Sequence, residues 1–231
     1  MNGRVAVVTG GAGALGLAVS RRFLDAGAVV CIPYVVPAEA ERLRAATPPV
    51  QAARLHAEHV DVTDEAALGG FVERVLSRHG RLDVLVNLVG GFAGGDLAST
   101  PLAEWRRLID LNLTSVVVAC RAVLPAMTRA HYGRIVNVAS RAVLAPSGGF
   151  IAYTVGKAGV ATLTQAVAQE VRAHGITVNA VAPSTMDTPG NRQAMPDADR
   201  STWVTTDAVS AAIAFLASEE AGGVSGAVVP V

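Results

Sequence analysis

The stretch Val5-Ala-Val-Val-Thr-Gly-Gly-Ala-Gly-Ala-Leu-Gly16 decides the fold of this chain. It begins as an apolar, β-rich run, continues as a Gly-x-Gly-x-x-Gly pattern from Gly11 to Gly16, and leads into a segment with helical spacing. Glycines in such a turn let the backbone approach the pyrophosphate of a dinucleotide, which the N-terminus of the following helix then faces. The order of strand, glycine turn and helix therefore predicts a dinucleotide-binding unit.

Strand-like and helix-like segments alternate along the rest of the chain. We predict an α/β fold because this alternation favours right-handed crossovers: a single doubly wound Rossmann-type domain spanning 1–231, with a parallel sheet of about seven strands and helices on both faces. Pro125 is expected to kink or end its helix, and Thr63 or Asp64 to cap the helix that follows them. The longest irregular segment, 183–206, is expected to be a substrate loop. The predicted strands are 4–9, 28–36, 54–60, 82–88, 134–139, 176–182 and 227–229, and the predicted helices are 14–26, 39–46, 64–79, 102–130, 153–174 and 207–218.

Composition restricts the partners that this chain can have. Of its 231 residues, 51% are hydrophobic and 16% are charged, which suits a buried parallel sheet. The formal net charge is zero and no block of basic residues occurs, so we predict neither a nucleic-acid nor a membrane partner. Cys31 and Cys120 lie in apolar runs, which predicts buried thiols in a cytoplasmic protein. His56 and His59 stand three apart in a predicted strand and point to opposite faces, so no metal site is predicted.

Tyr153 and Lys157 stand four residues apart in a predicted helix, which places their side chains on one face, one turn apart. A positive charge near a phenol favours the phenolate and brings its proton transfer towards neutral pH. Ser140 ends the apolar run Arg134-Ile-Val-Asn-Val-Ala-Ser140, thirteen residues before the tyrosine. Together with the glycine turn, these residues indicate a nucleotide-dependent redox enzyme.

The sequence leaves the choice between NAD and NADP open. The dinucleotide pattern expects an acidic residue about 20 positions after the glycines to bind the ribose 2′-hydroxyl of NAD. Tyr34 lies near that position, and the first acid beyond it is Glu39. No arginine stands where it would obviously bind a 2′-phosphate, although Arg42 and Arg44 follow. Asp61, at the end of the third predicted strand, could accept a hydrogen bond from the adenine amino group.

In its ordered set of motifs the chain resembles the short-chain dehydrogenase/reductases over essentially its full length. The resemblance implies that Tyr153 is the general acid or base and that Lys157 holds the nicotinamide ribose and lowers the tyrosine pKa. It further implies that Ser140 bonds the substrate oxygen and that Asn112 holds a proton-relay water. The implied partners are a small-molecule substrate and further copies of the chain, in a homotetramer or homodimer. The residues expected to bind NAD or NADP are Gly10, Gly13, Leu15, Gly16, Tyr34, Asp61, Val62, Asn87, Val89, Tyr153, Lys157, Pro183 and Thr188.

Departures from the family pattern leave the acid–base set intact. They place Ala14 at the middle glycine of the turn and Asn87-Leu-Val-Gly90 where the family has Asn-Asn-Ala-Gly. The loop 90–95 and the segment 187–199 also resemble those of quinonoid dihydropteridine reductases, which lack a serine at the position of Ser140. We therefore expect a carbonyl or alcohol substrate, with a pterin as the alternative and a non-catalytic nucleotide sensor as an alternative of another class. Phe92 and Trp203, in loops beyond strand ends, are expected to line the substrate pocket with Ser140.

Overall fold

A computed structural model describes all 231 residues. Seven parallel strands form the central sheet in the order β3-β2-β1-β4-β5-β6-β9, and two further strands form a short parallel ribbon. The strands are β1 (Val5–Thr9), β2 (Val29–Tyr34), β3 (Leu55–His59), β4 (Val84–Asn87), β5 (Gly133–Val138), β6 (Ile176–Ala182), β7 (Met186–Asp187), β8 (Val204–Thr205) and β9 (Val228–Pro230). The helices are α1 (Ala14–Asp25), α2 (Pro37–Ala46), α3 (Pro49–Ala52), α4 (Glu65–His79), α5 (Leu102–Ile109), α6 (Ser115–Ala130), α7 (Ile151–Glu170), α8 (Pro189–Ala194) and α9 (Thr206–Leu216).

Alternation along each strand separates two hydrophobic cores. Val7, Leu85 and Ile135 face the core under α4, α6 and α7. Their neighbours in sequence, such as Val8 and Val86, face the core under α1 and α9. Because successive strand residues point to opposite faces, this sheet is covered by helices on both sides, and the predicted doubly wound α/β fold is confirmed.

The order of the strands reverses between β1 and β4, which are hydrogen-bonded neighbours. At such a reversal the connections leave in opposite directions, and a crevice opens beyond the carboxyl ends of the strands. The glycine turn, Asp61, the loop after Asn87 and Ser140 all follow strand ends at this edge. The topology thus gathers residues that are far apart in sequence.

The predicted helix 102–130 is confirmed as the continuous helical segment Leu102–Ala130. It contains a π-helical turn that was not predicted, Asp110–Thr114, and it does not end at Pro125. The segment 183–206 is not a structureless loop, since it holds the ribbon β7–β8 and the helix α8. By contrast, the Asp64 carboxylate accepts a 3.0 Å hydrogen bond from the Ala67 amide, so the predicted cap of α4 is confirmed.

The segment Leu102–Ala130 is long and apolar enough to cross a membrane by length and composition, with a mean hydropathy of 1.6. In this structure 44% of its most apolar window is buried, and Val116, Ala119 and Val123 belong to the core under α4 and α7. Core helices of soluble proteins pass the same test of length and hydropathy.

Candidate active site

A groove of about 370 Å³ opens at the carboxyl ends of β1 to β4. Eight of the residues expected to bind the dinucleotide line it, which are Gly10, Gly13, Leu15, Gly16, Tyr34, Asp61, Val62 and Val89. Their convergence comes from parallel strands whose carboxyl ends share one edge. The groove therefore lies where the glycine pattern places a nucleotide.

The glycine turn has no room for side chains. Gly10 has a φ of +66°, which an L residue rarely adopts. A Cβ added at Gly16 would lie 2.2 Å from the Gly10 carbonyl oxygen, so the start of α1 packs directly on the turn. Gly13 precedes α1 without a side-chain cap, and the first turn of the helix holds no acidic residue. Free backbone amides at this end, with no carboxylate beside them, fit the pyrophosphate of NAD or NADP.

Two carboxylates and no cationic side chain line this groove. Asp61 is held by Thr63, whose amide and hydroxyl donate to its Oδ1 at 2.9 and 2.7 Å. Glu39, in the first turn of α2, was not among the residues expected at the site. In the sequence Glu39 is the first acidic residue after Tyr34. Its position shortly after the expected ribose-binding site was the only sequence signal that pointed to it.

Ser140, Tyr153 and Lys157 form one cluster at the adjoining edge. Ser140 follows β5, while Tyr153 and Lys157 lie in the first two turns of α7. Burial raises the pKa of the Tyr153 phenol, and a hydrogen bond with the Ser140 side chain lowers it. The Ser140 hydroxyl, rather than the Lys157 ammonium, is thus the group that opposes the upward shift in this structure. A serine that stabilises a phenolate suits proton transfer to and from a substrate oxygen.

Lys157 is the only lysine of the chain and is 5% exposed. Its Nζ donates a 2.8 Å hydrogen bond to the carbonyl of Val138. Desolvation lowers the pKa of this ammonium to about 8. A buried lysine without a carboxylate partner is costly to a fold, which favours a functional role for this one.

Asn112 lies in the π-helical turn between α5 and α6 and is fully buried. Its amide nitrogen donates to the carbonyls of Gly91 and Leu108, both at 2.9 Å, and its Oδ1 accepts from the Gly91 amide at 3.2 Å. The side chain therefore holds the loop after β4 through both of its polar atoms. The role as holder of a relay water stays a prediction.

A second cavity, of about 570 Å³, lies in front of Ser140 and Tyr153. Phe92 and Phe150 form part of its wall, with ring centroids 5.2 and 6.5 Å from that of Tyr153. Trp203 does not line the cavity, because it precedes the ribbon strand β8 and lies under Arg200, whose guanidinium is 5.8 Å from its ring. The remaining lining residues are Arg141, Ala142, Ala145, Ser147, Pro183, Ser184, Thr185, Met186, Asn191 and Met195.

Five of the thirteen residues expected to bind the dinucleotide do not line the groove. Tyr153 and Lys157 belong to the cluster with Ser140, and the other three are Asn87, Pro183 and Thr188. Asn87 is buried in the sheet, where its Nδ2 donates to Asn137 at 2.9 Å, and it does not line the groove. Pro183 lines the substrate cavity. Thr188 caps α8 by accepting from the Asn191 amide at 3.2 Å. No group of three or more His, Cys, Asp or Glu side chains gathers in a way that could hold a metal ion.

Comparison with known proteins finds relatives that are named as dehydrogenases. A family model described as short chain dehydrogenase matches residues 4–199. Cis-4-hydroxycyclohexanecarboxylate dehydrogenase of Sinomonas cyclohexanicum is 37% identical, over 99% of this chain and 94% of its own length. Cyclopentanol dehydrogenase of Comamonas sp. (strain NCIMB 9872) is 34% identical, over 98% and 94%. The crystal structure of levodione reductase superposes with a TM-score of 0.91 at 28% identity, over 100% of this chain and 96% of that one.

Proposed function

The chain belongs to the short-chain dehydrogenase family, and we propose that within this family it is an NAD-dependent oxidoreductase of secondary alcohols and their ketones. The observation that carries the proposal is the convergence of Ser140, from the end of β5, and Tyr153, from the start of α7, on one cavity of about 570 Å³. The family relatives compared above include two that are named for secondary alcohols on carbon rings. Such a substrate has a size and polarity that fit a mostly apolar pocket with a few polar groups.

Tyr153 is the proposed acid and base of the reaction. In alcohol oxidation, the substrate hydroxyl gives its proton to the Tyr153 phenolate while the carbinol carbon loses a hydride. When bound, the nicotinamide supplies the acceptor of that hydride, or its donor in the reverse direction. Ser140 donates a hydrogen bond to the substrate oxygen and stabilises the charge that develops on it.

Lys157 and Asn112 position this pair. At neutral pH the lysine is mostly protonated, because its pKa of about 8 lies above the ambient pH. Its charge favours the phenolate form of Tyr153 once the site is closed from water. Asn112 fixes the loop at Gly91, which lies between Gly90 in the lining of the groove and Phe92 in the lining of the substrate cavity.

The charges of the groove favour NAD over NADP. A 2′-phosphate carries two negative charges, and the groove offers it the carboxylates of Glu39 and Asp61 but no cation. Arg44 does not line the groove, since it donates to the Ala57 carbonyl at 3.1 Å and lies 5.5 Å from the Tyr34 ring. A carboxylate can instead accept hydrogen bonds from a ribose diol, and Glu39 stands where α2 begins beside the end of β2.

Equilibrium binding of NADH and NADPH to the Glu39→Gln variant tests this choice. Removing one negative charge should improve NADPH affinity by roughly tenfold and leave NADH affinity unchanged or weaker. The ratio of NADH affinity to NADPH affinity should therefore fall. Glu41→Gln, on the exposed face of the same helix, is the matched control and should change neither affinity. Tighter binding of NADPH than of NADH by the unmodified protein would contradict the assignment.

The Tyr153→Phe variant tests the reaction itself. It should retain the fold and the NADH dissociation constant but lose at least a hundredfold in turnover of secondary alcohols, because it has no proton to transfer. Undiminished turnover would reject the role of Tyr153. The substrate panel includes a quinonoid dihydropterin, and reduction of that compound alone would favour the pterin alternative. Cofactor binding without any hydride transfer would favour the non-catalytic alternative.

We also propose a cytoplasmic homodimer or homotetramer. Cys31 and Cys120 are both unpaired and buried, as in proteins of a reducing compartment. Helix α7 exposes Val155, 44% accessible, beside small residues such as Ala158 and Gly159. Such a surface suits close pairing of helices across a two-fold axis. A monomer mass by light scattering at micromolar concentration would contradict this assembly.

A further inference from the structure

Arg141 is the only charged residue that lines the substrate cavity. Tyr153 is the other ionisable group there, and no Asp, Glu, Lys or His side chain contributes to the lining. The apolar part of the lining includes Phe92, Phe150 and Met195. A single cation in an otherwise neutral and largely apolar cavity gives that cavity a preference for an anionic group.

The charge of Arg141 is not neutralised by the protein. Its guanidinium takes part in none of the side-chain hydrogen bonds or salt bridges of the structure, and the residue is exposed. Arg192, on the nearby helix α8, differs in this respect because it binds the Asp187 carboxylate through two nitrogens, one of them at 2.7 Å. Arg141 is therefore the cation that remains available to a ligand on this side of the site.

The backbone of Arg141 is fixed next to the catalytic serine. Its amide donates a 3.0 Å hydrogen bond to the Pro183 carbonyl, and the Ser140 hydroxyl oxygen accepts from the Ala142 amide at 3.2 Å. Consecutive Cα atoms lie about 3.8 Å apart across a trans peptide. A substrate whose reacting oxygen is held by Ser140 can thus present a second group, several carbon atoms away, to the Arg141 side chain.

We propose that Arg141 binds a carboxylate of the substrate, so that the substrates are hydroxy acids and the corresponding oxo acids with the carboxylate several carbons from the reacting carbon. The planar guanidinium fork matches a carboxylate with two parallel hydrogen bonds. This inference rests on the proposed function, because it names the substrate class of the same reaction. Arg141 would orient the substrate and set specificity without touching the reacting atoms.

Matched pairs of ketones provide the test. The probes are 4-oxopentanoate with its methyl ester and 4-oxocyclohexanecarboxylate with its methyl ester, each reduced with NADH. In at least one pair the unmodified enzyme should prefer the acid by roughly tenfold or more in kcat/KM, the effect of about 1.4 kcal/mol. Arg141→Met should remove that preference mainly by raising KM for the acid, while kcat/KM for the ester changes less than about threefold. Arg141→Lys should restore part of the preference, since it keeps the charge but not the fork.

Two controls separate a local effect from a general one. Arg172→Met removes an exposed arginine just after the C-terminal end of α7. It should leave kcat/KM unchanged for all four ketones, the two acids and their two esters. The NADH dissociation constant and the melting temperature of Arg141→Met should equal those of the unmodified protein.

The failures of the two proposals differ. Esters reduced as well as acids by the unmodified enzyme in both pairs, or an equal loss for acid and ester in Arg141→Met, would overturn the role of Arg141 and leave the proposed function standing. Absence of reduction of every ketone, charged or neutral, would overturn both.

Discussion

The ammonium of Lys157 donates a 2.8 Å hydrogen bond to the backbone carbonyl of Val138. Val138 is the last residue of β5, and Ser140 follows it by two positions. The lysine of α7 is therefore tied to the strand that carries the serine, and the same helix carries Tyr153 one turn earlier. This contact makes the relative position of the three side chains a property of the sheet and not of a flexible loop.

The first prediction concerns the titration of Lys157. Because it is the only lysine in the chain, a lysine labelled with ¹³C at Cε gives a single side-chain signal to follow by NMR. Desolvation should place its midpoint near pH 8, well below the ordinary value of 10.5. A midpoint above pH 10 in the protein without cofactor would mean that the side chain is not held in the buried position.

The second prediction is that the titration of Lys157 makes the free energy of unfolding depend on pH. Below about pH 8 both the folded and the unfolded chain hold the proton, and the folded chain carries the cost of burying the charge. Between about pH 8 and 10.5 the unfolded chain binds more protons, so this contribution to stability rises with pH. Lys157→Met should abolish that rise and stabilise the protein at pH 7 by up to about 3 kcal/mol, at the expense of activity. Urea unfolding of both proteins from pH 7 to 10.5 measures the difference, and parallel curves would contradict it.

The sheet could be predicted from sequence because its strands are short, apolar runs bounded by turn residues. β6 was predicted without error, and the other central strands within about two residues at each end. The π-helical turn at Asp110–Thr114 could not be predicted, because the local sequence there has ordinary helical spacing. The packing of Asn112 against Gly91 decides its geometry. Of the two outcomes expected at Pro125, a kink or an end of the helix, the end is wrong: Pro125 lies on the exposed face of α6 and the helix continues to Ala130.

Some residues of the candidate site could likewise be predicted from the sequence, and others could not. Ser140, Tyr153 and Lys157 lie at fixed positions of one strand end and one helix, so their spacing sufficed to bring them together. Glu39 and Arg141 were missed as lining residues because their exposure to the two cavities depends on how separate loops meet. Trp203 was placed wrongly for the same reason, since its surroundings are set by the ribbon β7–β8, which is too short to leave a pattern in sequence.

The third prediction concerns the effect of Ser140 on the titration of Tyr153. The serine lowers the pKa of the phenol, which burial raises. Ser140→Ala should therefore move the rising limb of kcat/KM for alcohol oxidation to higher pH, and should lower turnover by about 10²-fold or more because the substrate oxygen loses a donor. Ser77→Ala, on the exposed face of α4, should show neither effect. An unshifted profile in Ser140→Ala would separate the serine from the tyrosine titration.

The fourth prediction concerns Gly90, which lies between two functional side chains. A Cβ added there would lie 2.8 Å from the Asn112 Oδ1 and 3.1 Å from the Lys157 Nζ. Gly90→Ala should push one of them aside, lower turnover by about tenfold or more, and shift the NMR signal of Lys157. Gly69→Ala is the matched control, because a Cβ in that position on α4 meets nothing within 4 Å. It should stabilise the protein by about 0.5–1 kcal/mol through helix propensity and leave activity unchanged.

The last prediction is that the side chain of Asn87 belongs to a hydrogen-bonded row that stabilises the sheet and does not contribute to nucleotide binding. Thr9, Asn87 and Asn137 stand in register on neighbouring strands and form a buried polar row. Asn87 Nδ2 donates to Asn137 Oδ1 at 2.9 Å, and Asn137 Nδ2 donates to Thr164 Oγ1 at 2.9 Å. Asn137→Ala removes both bonds and leaves a cavity, so it should lower the free energy of unfolding by about 2–4 kcal/mol.

The NADH dissociation constant of the folded variant should change less than about threefold, an effect below 1 kcal/mol, because Asn137 does not line the nucleotide groove. Thr164→Val removes the α7 hydroxyl that accepts from Asn137, with little change in volume. The double variant should be less destabilised than the sum of the singles, because they share a broken bond. A large loss of NADH affinity would show that the row also acts on the cofactor site. Full additivity in urea unfolding would show that the hydrogen bond between Asn137 and Thr164 does not couple the two positions.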